Sequence, residues 1–192
     1  MQNFIEALEK CMETENWYGA LFIALTLPDI CAKIEYPDEK KSSAKRYTQW
    51  FDVYLKKNYE TSRNAIPLSS ELEALTTLIP AGIGGGRKKE TFLTGSDFYA
   101  LRCAYLHEGS NEITNQRKRE ILEKFEFVQP RKGMIFHNNL KNGRILQLQV
   151  SELANEVMLG VMNWLNDIKN DEIKMSKVND LVCINFSSNF TF

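Results

Sequence analysis

The sequence has 192 residues, of which 43% are hydrophobic and 26% charged, a composition typical of a globular protein of one domain. Its formal net charge is −1, whereas proteins that bind nucleic acid mainly through electrostatics are strongly basic. The composition therefore excludes a generally basic nucleic-acid-binding protein and leaves room for a local basic patch only. Four widely spaced cysteines without a Cys-x-x-Cys pair predict free thiols.

Apolar residues at helical spacing dominate the first part of the chain. Phe4, Ile5 and Leu8 predict a short first helix. Asn16 is placed to cap a second helix that is apolar on nearly all sides, as expected of a central core helix. Because proline lacks a backbone N–H, Pro28 is expected to kink this helix or to make it restart.

A third helix is predicted to begin at Ser42 or Ser43. Its large residues recur every three or four positions and form an aromatic-rich stripe: Tyr47, Trp50, Phe51, Tyr54 and Leu55. We interpret this stripe as core packing rather than as a platform for stacking bases.

A glycine-rich insertion is predicted from about residue 60 to residue 93. Ser69 or Ser70 predicts the start of a short helix, and the stretch Gly82–Gly86 is followed by Arg87. No Gly-Lys followed by Ser or Thr is present, as a phosphate-binding loop requires, and Arg87 replaces the third glycine of a dinucleotide fingerprint. We interpret the stretch as a connector with a basic tip.

Thr94 or Ser96 is placed to cap a helix over Asp97–Leu106, and Gly109 is placed to end it. A further helix is predicted over about Asn115–Lys124.

After Pro130 the apolar pattern alternates, and Asn142-Gly143 is a strong signal for the turn of a β-hairpin over about residues 133–150. A last helix is predicted from Ser151 to about Lys169, with a buried stripe formed by Leu153, Val157, Val161, Trp164 and Leu165. The sequence thus predicts a mainly α domain over residues 1–170 and a tail of mixed character over residues 171–192, in which Leu181–Ile184 is either a short strand or part of a disordered end.

The location of the protein is predicted from its apolar runs. No basic segment followed by an apolar one marks a signal peptide. The longest apolar run, Tyr18–Leu27, is about half as long as a membrane span. We therefore expect a cytoplasmic protein with no membrane partner.

The chemically richest stretch runs from Arg102 to His107. These two residues are five positions apart, which is about 140° of rotation on an α-helix. They converge only if the helix has ended by His107, as Gly109 suggests, or if two chains build the site together. The small residues Ala100, Cys103 and Ala104 would let a second helix approach closely.

An Arg and a His that converge could cleave RNA without a metal ion. A histidine can transfer protons near neutral pH. An arginine can grip phosphate oxygens with two N–H groups and stabilise the charge that develops on them. The ordinary structural alternative is that Arg102 pairs with a carboxylate such as Asp97 or Glu108 and that His107 hydrogen-bonds a carbonyl at the helix end.

Other chemistry has less support in the sequence. The only two histidines, His107 and His137, are thirty residues apart and match no metal-binding motif, so no metal or cofactor is expected. Cys103 and His107 share a helix face, but no oxyanion arrangement is recognisable for a protease. His137 is expected to be a surface polar residue beside the hairpin.

The spacing Arg102-x-x-x-x-His107 near a helix end resembles the motif of the HEPN superfamily. Four stretches also resemble a group of uncharacterised bacterial proteins that we associate with it: Ala24–Ile34, Lys45–Phe51, Tyr99–Ser110 and Leu146–Val150. The resemblance implies a HEPN-like helical bundle, here with one β-hairpin insertion. It also implies a homodimer with a composite, metal-independent ribonuclease site formed by Arg102 and His107.

Many HEPN proteins belong to toxin–antitoxin or phage-defence systems, so the resemblance also implies RNA as substrate and a partner protein such as an antitoxin. Glu108, Arg117 and Arg119 are the candidates for substrate contacts. The chain departs from the family pattern at Cys103, where active members commonly have a polar residue. Three hypotheses follow: a HEPN-like endoribonuclease, an inactive HEPN-like module that binds nucleotide, RNA or a partner protein, and a helical interaction protein without an RNA role.

Overall fold

The computed structural model describes residues 1–38, 40–62 and 89–184. Within these ranges the chain is mainly α-helical, with two small sheets. The helices are α1 Gln2–Glu13, α2 Trp17–Glu35, α3 Ser43–Tyr54, α4 Gly95–Cys103, α5 Val150–Ile168 and α6 Glu172–Asn179. The strands are β1 Glu60–Ser62, β2 Lys89–Thr91, β3 Lys124–Val128, β4 Asn139–Lys141 and β5 Ile145–Gln149.

The helix α2 lies at the centre of the core and packs against α1, α3 and α5. It continues without a break through Pro28, so of the two outcomes expected there, a kink or a restart, the restart does not occur. Proline removes only one backbone donor from the helix, and the neighbouring helices bury Pro28 itself. Among the described helices, α2 alone has the length and composition of a membrane span, and half of that apolar window is buried inside the fold.

Side chains cap the first helices where the sequence predicts. The Oδ1 of Asn16 accepts from Gly19 N at 3.0 Å, and the Oγ of Ser42, rather than Ser43, accepts from Lys45 N at 3.4 Å. The prediction that the aromatic stripe of α3 packs in the core is confirmed, because four of its five residues are fully buried: Tyr47, Trp50, Phe51 and Leu55.

The predicted hairpin is confirmed in its turn and second strand. Asn142 and Gly143 both have positive φ, at 51° and 69°, and they connect the antiparallel strands β4 and β5. The first strand is shorter than predicted, since Met134 and Phe136 precede it. The sequence did not predict β3, which pairs in parallel with β5 and completes a sheet of order β3-β5-β4.

The helix predicted over Asn115–Lys124 is wrong. Residues 115–123 form turns and bends, and Lys124 is the first residue of β3. The buried carboxylate of Asp97 accepts from Glu120 N at 2.7 Å and from Ile121 N. Arg119 donates to the carbonyls of Thr114 and Leu122. This loop, residues 110–123, is therefore fastened to the N-terminus of α4 by a buried anion.

The C-terminal part is more ordered than the sequence predicts. The helix α5 is confirmed, with Leu153, Val157, Val161 and Trp164 buried. The predicted tail forms α6, whose N-terminus is capped by Asp171 and whose Lys174 pairs with Glu35 of α2 at 2.9 Å. Residues 181–184 form no strand.

The glycine-rich insertion begins and ends in a pair of antiparallel strands, β1 and β2, in which Glu60 lies opposite Thr91. The predicted short helix at Ser69 or Ser70 and the stretch Gly82–Gly86 lie outside the described residues.

Candidate functional site

A change of helix type positions the candidate site. The helix α4 is capped by Thr94, whose Oγ1 accepts from Asp97 N at 3.1 Å, and it is α-helical to Cys103. The next five residues, Ala104–Glu108, form a π-helical turn, and Gly109 ends it with a left-handed φ of 64°, as predicted. A π turn is bonded from residue i to i+5, so it is wider than an α turn.

The π turn brings Arg102 and His107 together within one chain. Arg102 Nη1 lies 3.3 Å from His107 Nε2. The sequence predicted that the two side chains would meet only if the helix ended by His107 or if two chains built the site. In the structure they meet within one chain, and the helix continues past His107. It widens instead, so that residues five apart lie on one face.

The contact defines how the two groups can bond. A guanidinium group can only donate, so a hydrogen bond here has Arg102 Nη1 as donor and His107 Nε2 as acceptor. That bond occupies the lone pair of Nε2 while Arg102 stays in place. The His107 side chain is exposed, so the ring stands at the protein surface next to a positive charge.

The second partner of Arg102 is Asp29 of α2. Its Oδ2 accepts from Arg102 Nη2 at 2.9 Å, and the two side chains are 18% and 28% exposed. Partial burial acts to lower the pKa of the Arg102 guanidinium, but Asp29, with smaller effects of Cys103 and Tyr47, raises it on balance. Arg102 is therefore a fixed cation that points one N–H group at His107.

The structural alternative for Arg102 is confirmed in kind, because the guanidinium pairs with a carboxylate, that of Asp29. The residue differs from the two suggested, since Asp97 holds the 110–123 loop and Glu108 accepts from Gln116 Nε2 at 2.8 Å. The hydrogen bond described for the His107 ring goes to Arg102 and not to a backbone carbonyl.

Sequence reasoning assigned no role to Asp29. The signal was present, because a carboxylate on a helix that is otherwise almost entirely apolar is expected to have a charged partner. Tyr99, whose OH is 3.0 Å from Ser43 Oγ, lies close enough to Arg102 and Cys103 for both to affect its pKa. Burial raises the pKa of Tyr99 despite this hydrogen bond, so the phenol stays protonated at neutral pH.

The three residues suggested for substrate contacts differ in their surroundings. Arg119 holds its own loop through two carbonyls. Glu108 fastens the π turn to Gln116. Arg117 follows Gln116 directly and is exposed, so it lies on the turn beside the His107 end of the site. Arg117 is the one of the three whose position suits a ligand.

The small-residue face of α4 is used inside the chain. Ala100 and Ala104 are buried, and α4 packs against α3. A Cβ built on Gly95 would lie 3.0 Å from the backbone of Thr48 in α3, which shows how closely the two helices approach. Ala100 and Ala104 are therefore covered within the chain, which contradicts the expectation that they receive a helix of a second chain.

His137 is nearly buried rather than a surface residue. Its Nδ1 accepts from Gln149 N at 3.3 Å, and its Nε2 lies 3.2 Å from Glu156 Oε2. The same carboxylate oxygen accepts from Tyr59 OH at 2.5 Å. We call these three side chains, His137, Glu156 and Tyr59, the buried histidine cluster. Within the ranges that the structure describes, no three His, Cys, Asp or Glu side chains are grouped as a metal ion would require.

Comparison with known proteins identifies no related protein. The sequence matches no family model and no curated protein, and the structure matches no solved structure. The description of the protein therefore comes from this chain alone: it is mainly α, with a small mixed sheet and an Arg–His pair at a π turn.

Proposed function

We propose that this protein is a metal-independent endoribonuclease of the HEPN type, with Arg102 and His107 as its catalytic residues. The observation that carries the proposal is the 3.3 Å contact between Arg102 Nη1 and His107 Nε2 at the surface. It supplies a proton acceptor and a cation within reach of one phosphodiester. π-helical turns are frequent at functional sites, which supports the same assignment.

The proposed reaction needs only the chain, the RNA and water. Arg102 Nη1 turns from His107 to the phosphate, which frees His107 Nε2 to accept the proton of a ribose 2′-OH as the 2′-oxygen attacks the adjacent phosphorus. The bond between phosphorus and the 5′-oxygen breaks, and that oxygen leaves with a proton taken from water. The products are a 2′,3′-cyclic phosphate and a free 5′-OH. Arg102 stabilises the charge on the non-bridging oxygens.

Asp29 and the 110–123 loop have supporting roles in this proposal. Asp29 holds the guanidinium in place, which orients it before substrate arrives. Arg117 contacts a neighbouring phosphate from the turn that Gln116 fastens to Glu108. We further propose a cytoplasmic homodimer with a HEPN-like bundle, acting in a toxin–antitoxin or phage-defence system with a partner protein. These parts rest on the resemblance of the sequence.

The second candidate is a HEPN-like module that binds nucleotide, RNA or a partner protein without cleaving. Two observations favour it. Asp29 already occupies one N–H group of the guanidinium and offsets part of its charge. Cys103, half-buried beside Arg102, replaces the polar residue that active members commonly have.

The test is cleavage of total RNA and tRNA by the purified protein in EDTA, with Arg102→Ala and His107→Ala. Arg144→Ala is a matched control, because this exposed arginine lies in the turn between β4 and β5, where it pairs with Glu123. We expect cleavage by the parent and by Arg144→Ala, with a loss of about 10²-fold or more in both site variants. No cleavage by the parent, or cleavage that both site variants retain, would exclude the catalytic assignment and favour the binding module.

A further inference from the structure

A groove of about 310 Å³ lies beside the π turn. Tyr105 of the π turn and Gly109, which ends it, line the groove. Trp17 and Tyr18 in the first turn of α2 and Phe127 of β3 also line it. A volume of this size is at the lower end of the range for small-molecule sites.

The walls of the groove are aromatic and uncharged. Tyr105 and Phe127 meet edge to face, with ring centroids 6.2 Å apart. Tyr18 is close to Tyr105, since it adds to the effect of burial in raising the pKa of the Tyr105 phenol. Among the described residues that line the groove, none is charged. Such walls suit a flat, neutral ring rather than a phosphate.

Tyr18 contributes little to the stability of the fold. It is 83% exposed, and Phe22, one helical turn further along α2, is 52% exposed. Large exposed aromatic side chains around a concavity mark a binding site. Tyr18, Phe22, Thr26 and Asp29 follow each other at spacings of three or four residues, so they form one edge of α2. Along this edge Asp29, the partner of Arg102, is eleven residues from Tyr18, which is about 16 Å of helix and more than one nucleotide spans.

Polar groups at the groove are suited to the edge of a nucleobase. Asn111 donates its Nδ2 to Phe125 O at 2.8 Å, which leaves its Oδ1 able to accept. Gln129 is exposed and offers both a donor and an acceptor. Amide side chains of this kind bind base edges, and aromatic rings stack on base faces.

We propose that the groove binds an unpaired base of single-stranded RNA, stacked on Tyr18, while a phosphate further along the same strand lies at Arg102 and His107. The proposal rests on the proposed function for the identity of its ligand. The neutral groove takes the base and the charged pair takes the backbone, so the substrate class is single-stranded RNA. A base within a duplex cannot enter the groove without unstacking.

The experiment measures the binding of a short labelled single-stranded RNA, and of the same sequence in a duplex, by fluorescence anisotropy. All proteins carry His107→Ala, so that cleavage cannot interfere. Tyr18→Ala is expected to raise the Kd for the single strand about tenfold, the loss typical of one stacked base. Tyr18→Phe, which keeps the ring, and Ile173→Ala, which removes a 73% exposed apolar side chain from α6, are expected to leave it unchanged.

The outcomes separate this proposal from the ribonuclease proposal. Binding that depends on Tyr18, in a protein that shows no cleavage when His107 is present, would keep the groove and exclude the enzyme. If the protein with His107 cleaves RNA, and if Tyr18→Ala leaves the Kd of the His107→Ala protein unchanged, the enzyme is kept and the groove proposal is excluded. Equal affinity for the duplex and for the single strand would overturn the groove proposal. A shift from dimer to monomer caused by Tyr18→Ala in gel filtration would also overturn it, because the groove would then be an interface between copies.

Discussion

The two histidines of this chain have opposite surroundings. His107 is exposed on a π turn, and its one described hydrogen bond comes from the cation Arg102. His137 is nearly buried, its Nδ1 accepts from Gln149 N, and its Nε2 lies 3.2 Å from Glu156 without forming a hydrogen bond. Its place inside the fold keeps a substrate away from the ring, although it sits beside a carboxylate and a tyrosine as in many active sites. The comparison teaches that exposure, rather than the number of polar neighbours, decides which histidine a substrate can reach.

The largest expected effect tests whether Arg102 and His107 act as a unit. In a double-mutant cycle, Arg102→Ala and His107→Ala are each expected to lower the cleavage rate by about 10²–10⁴-fold. The double variant should be no slower than the slower single variant, because each residue depends on the other for its contribution. Initial rates in EDTA give the answer, and losses that multiply would mean that the two residues work independently.

The buried histidine cluster is expected to affect stability and not cleavage. His137→Ala removes the acceptor of Gln149 N and leaves Glu156 with Tyr59 alone, so the free energy of unfolding should fall by about 1–3 kcal/mol. Urea denaturation measures this change. The cleavage rate at a temperature where the variant is folded should stay at the parent level, and a large loss there would give His137 a role in catalysis.

A smaller change in activity is expected at Asp29. Asp29→Ala frees the guanidinium of Arg102, and cleavage should fall about tenfold because the group is no longer held in position. Asp29→Asn keeps an acceptor for Arg102, so its cleavage rate should fall less than that of Asp29→Ala. Both variants should lose no more than about 1 kcal/mol of stability, since the ion pair is partly exposed. Faster cleavage by Asp29→Ala would instead show that Asp29 restrains the enzyme by offsetting the charge of Arg102.

The smallest effect is expected at the other end of the buried histidine cluster. Tyr59→Phe keeps the buried ring and removes only the hydroxyl that donates to Glu156. The free energy of unfolding should fall by about 1 kcal/mol, the typical contribution of one hydrogen bond. A loss as large as that of His137→Ala would mean that Tyr59, rather than the histidine, anchors the carboxylate.

The features that the sequence predicted correctly are those with local causes. Asn16 and Thr94 cap helices by bonding a backbone N–H three residues away, and Asn142-Gly143 supplies the two positive φ angles of a tight hairpin turn. The buried stripes of α3 and α5 follow from helical periodicity. Each of these signals is contained within a few neighbouring residues, so no knowledge of the rest of the chain was required.

The features that the sequence did not predict depend on distant partners. The stretch 115–124 has the composition of a helix, but Asp97 binds its backbone donors from more than twenty residues away. The strand β3 exists because β5 lies beside it. At the site, Arg102 and His107 could be chosen from residue type and spacing, whereas Asp29, 73 residues from Arg102, could not be assigned to it without the fold.

The π turn also changes what a spacing between two residues means. In a regular α-helix, side chains meet when they are three or four residues apart. Here a pair five apart meets because the turn takes up one additional residue before Gly109 ends it. Arg102 and His107 are separated by one turn of this widened helix and are therefore neighbours on its surface. A chain with one residue fewer in this turn could therefore keep the same pair in a plain α-helix, so length variation at this point need not separate the two residues.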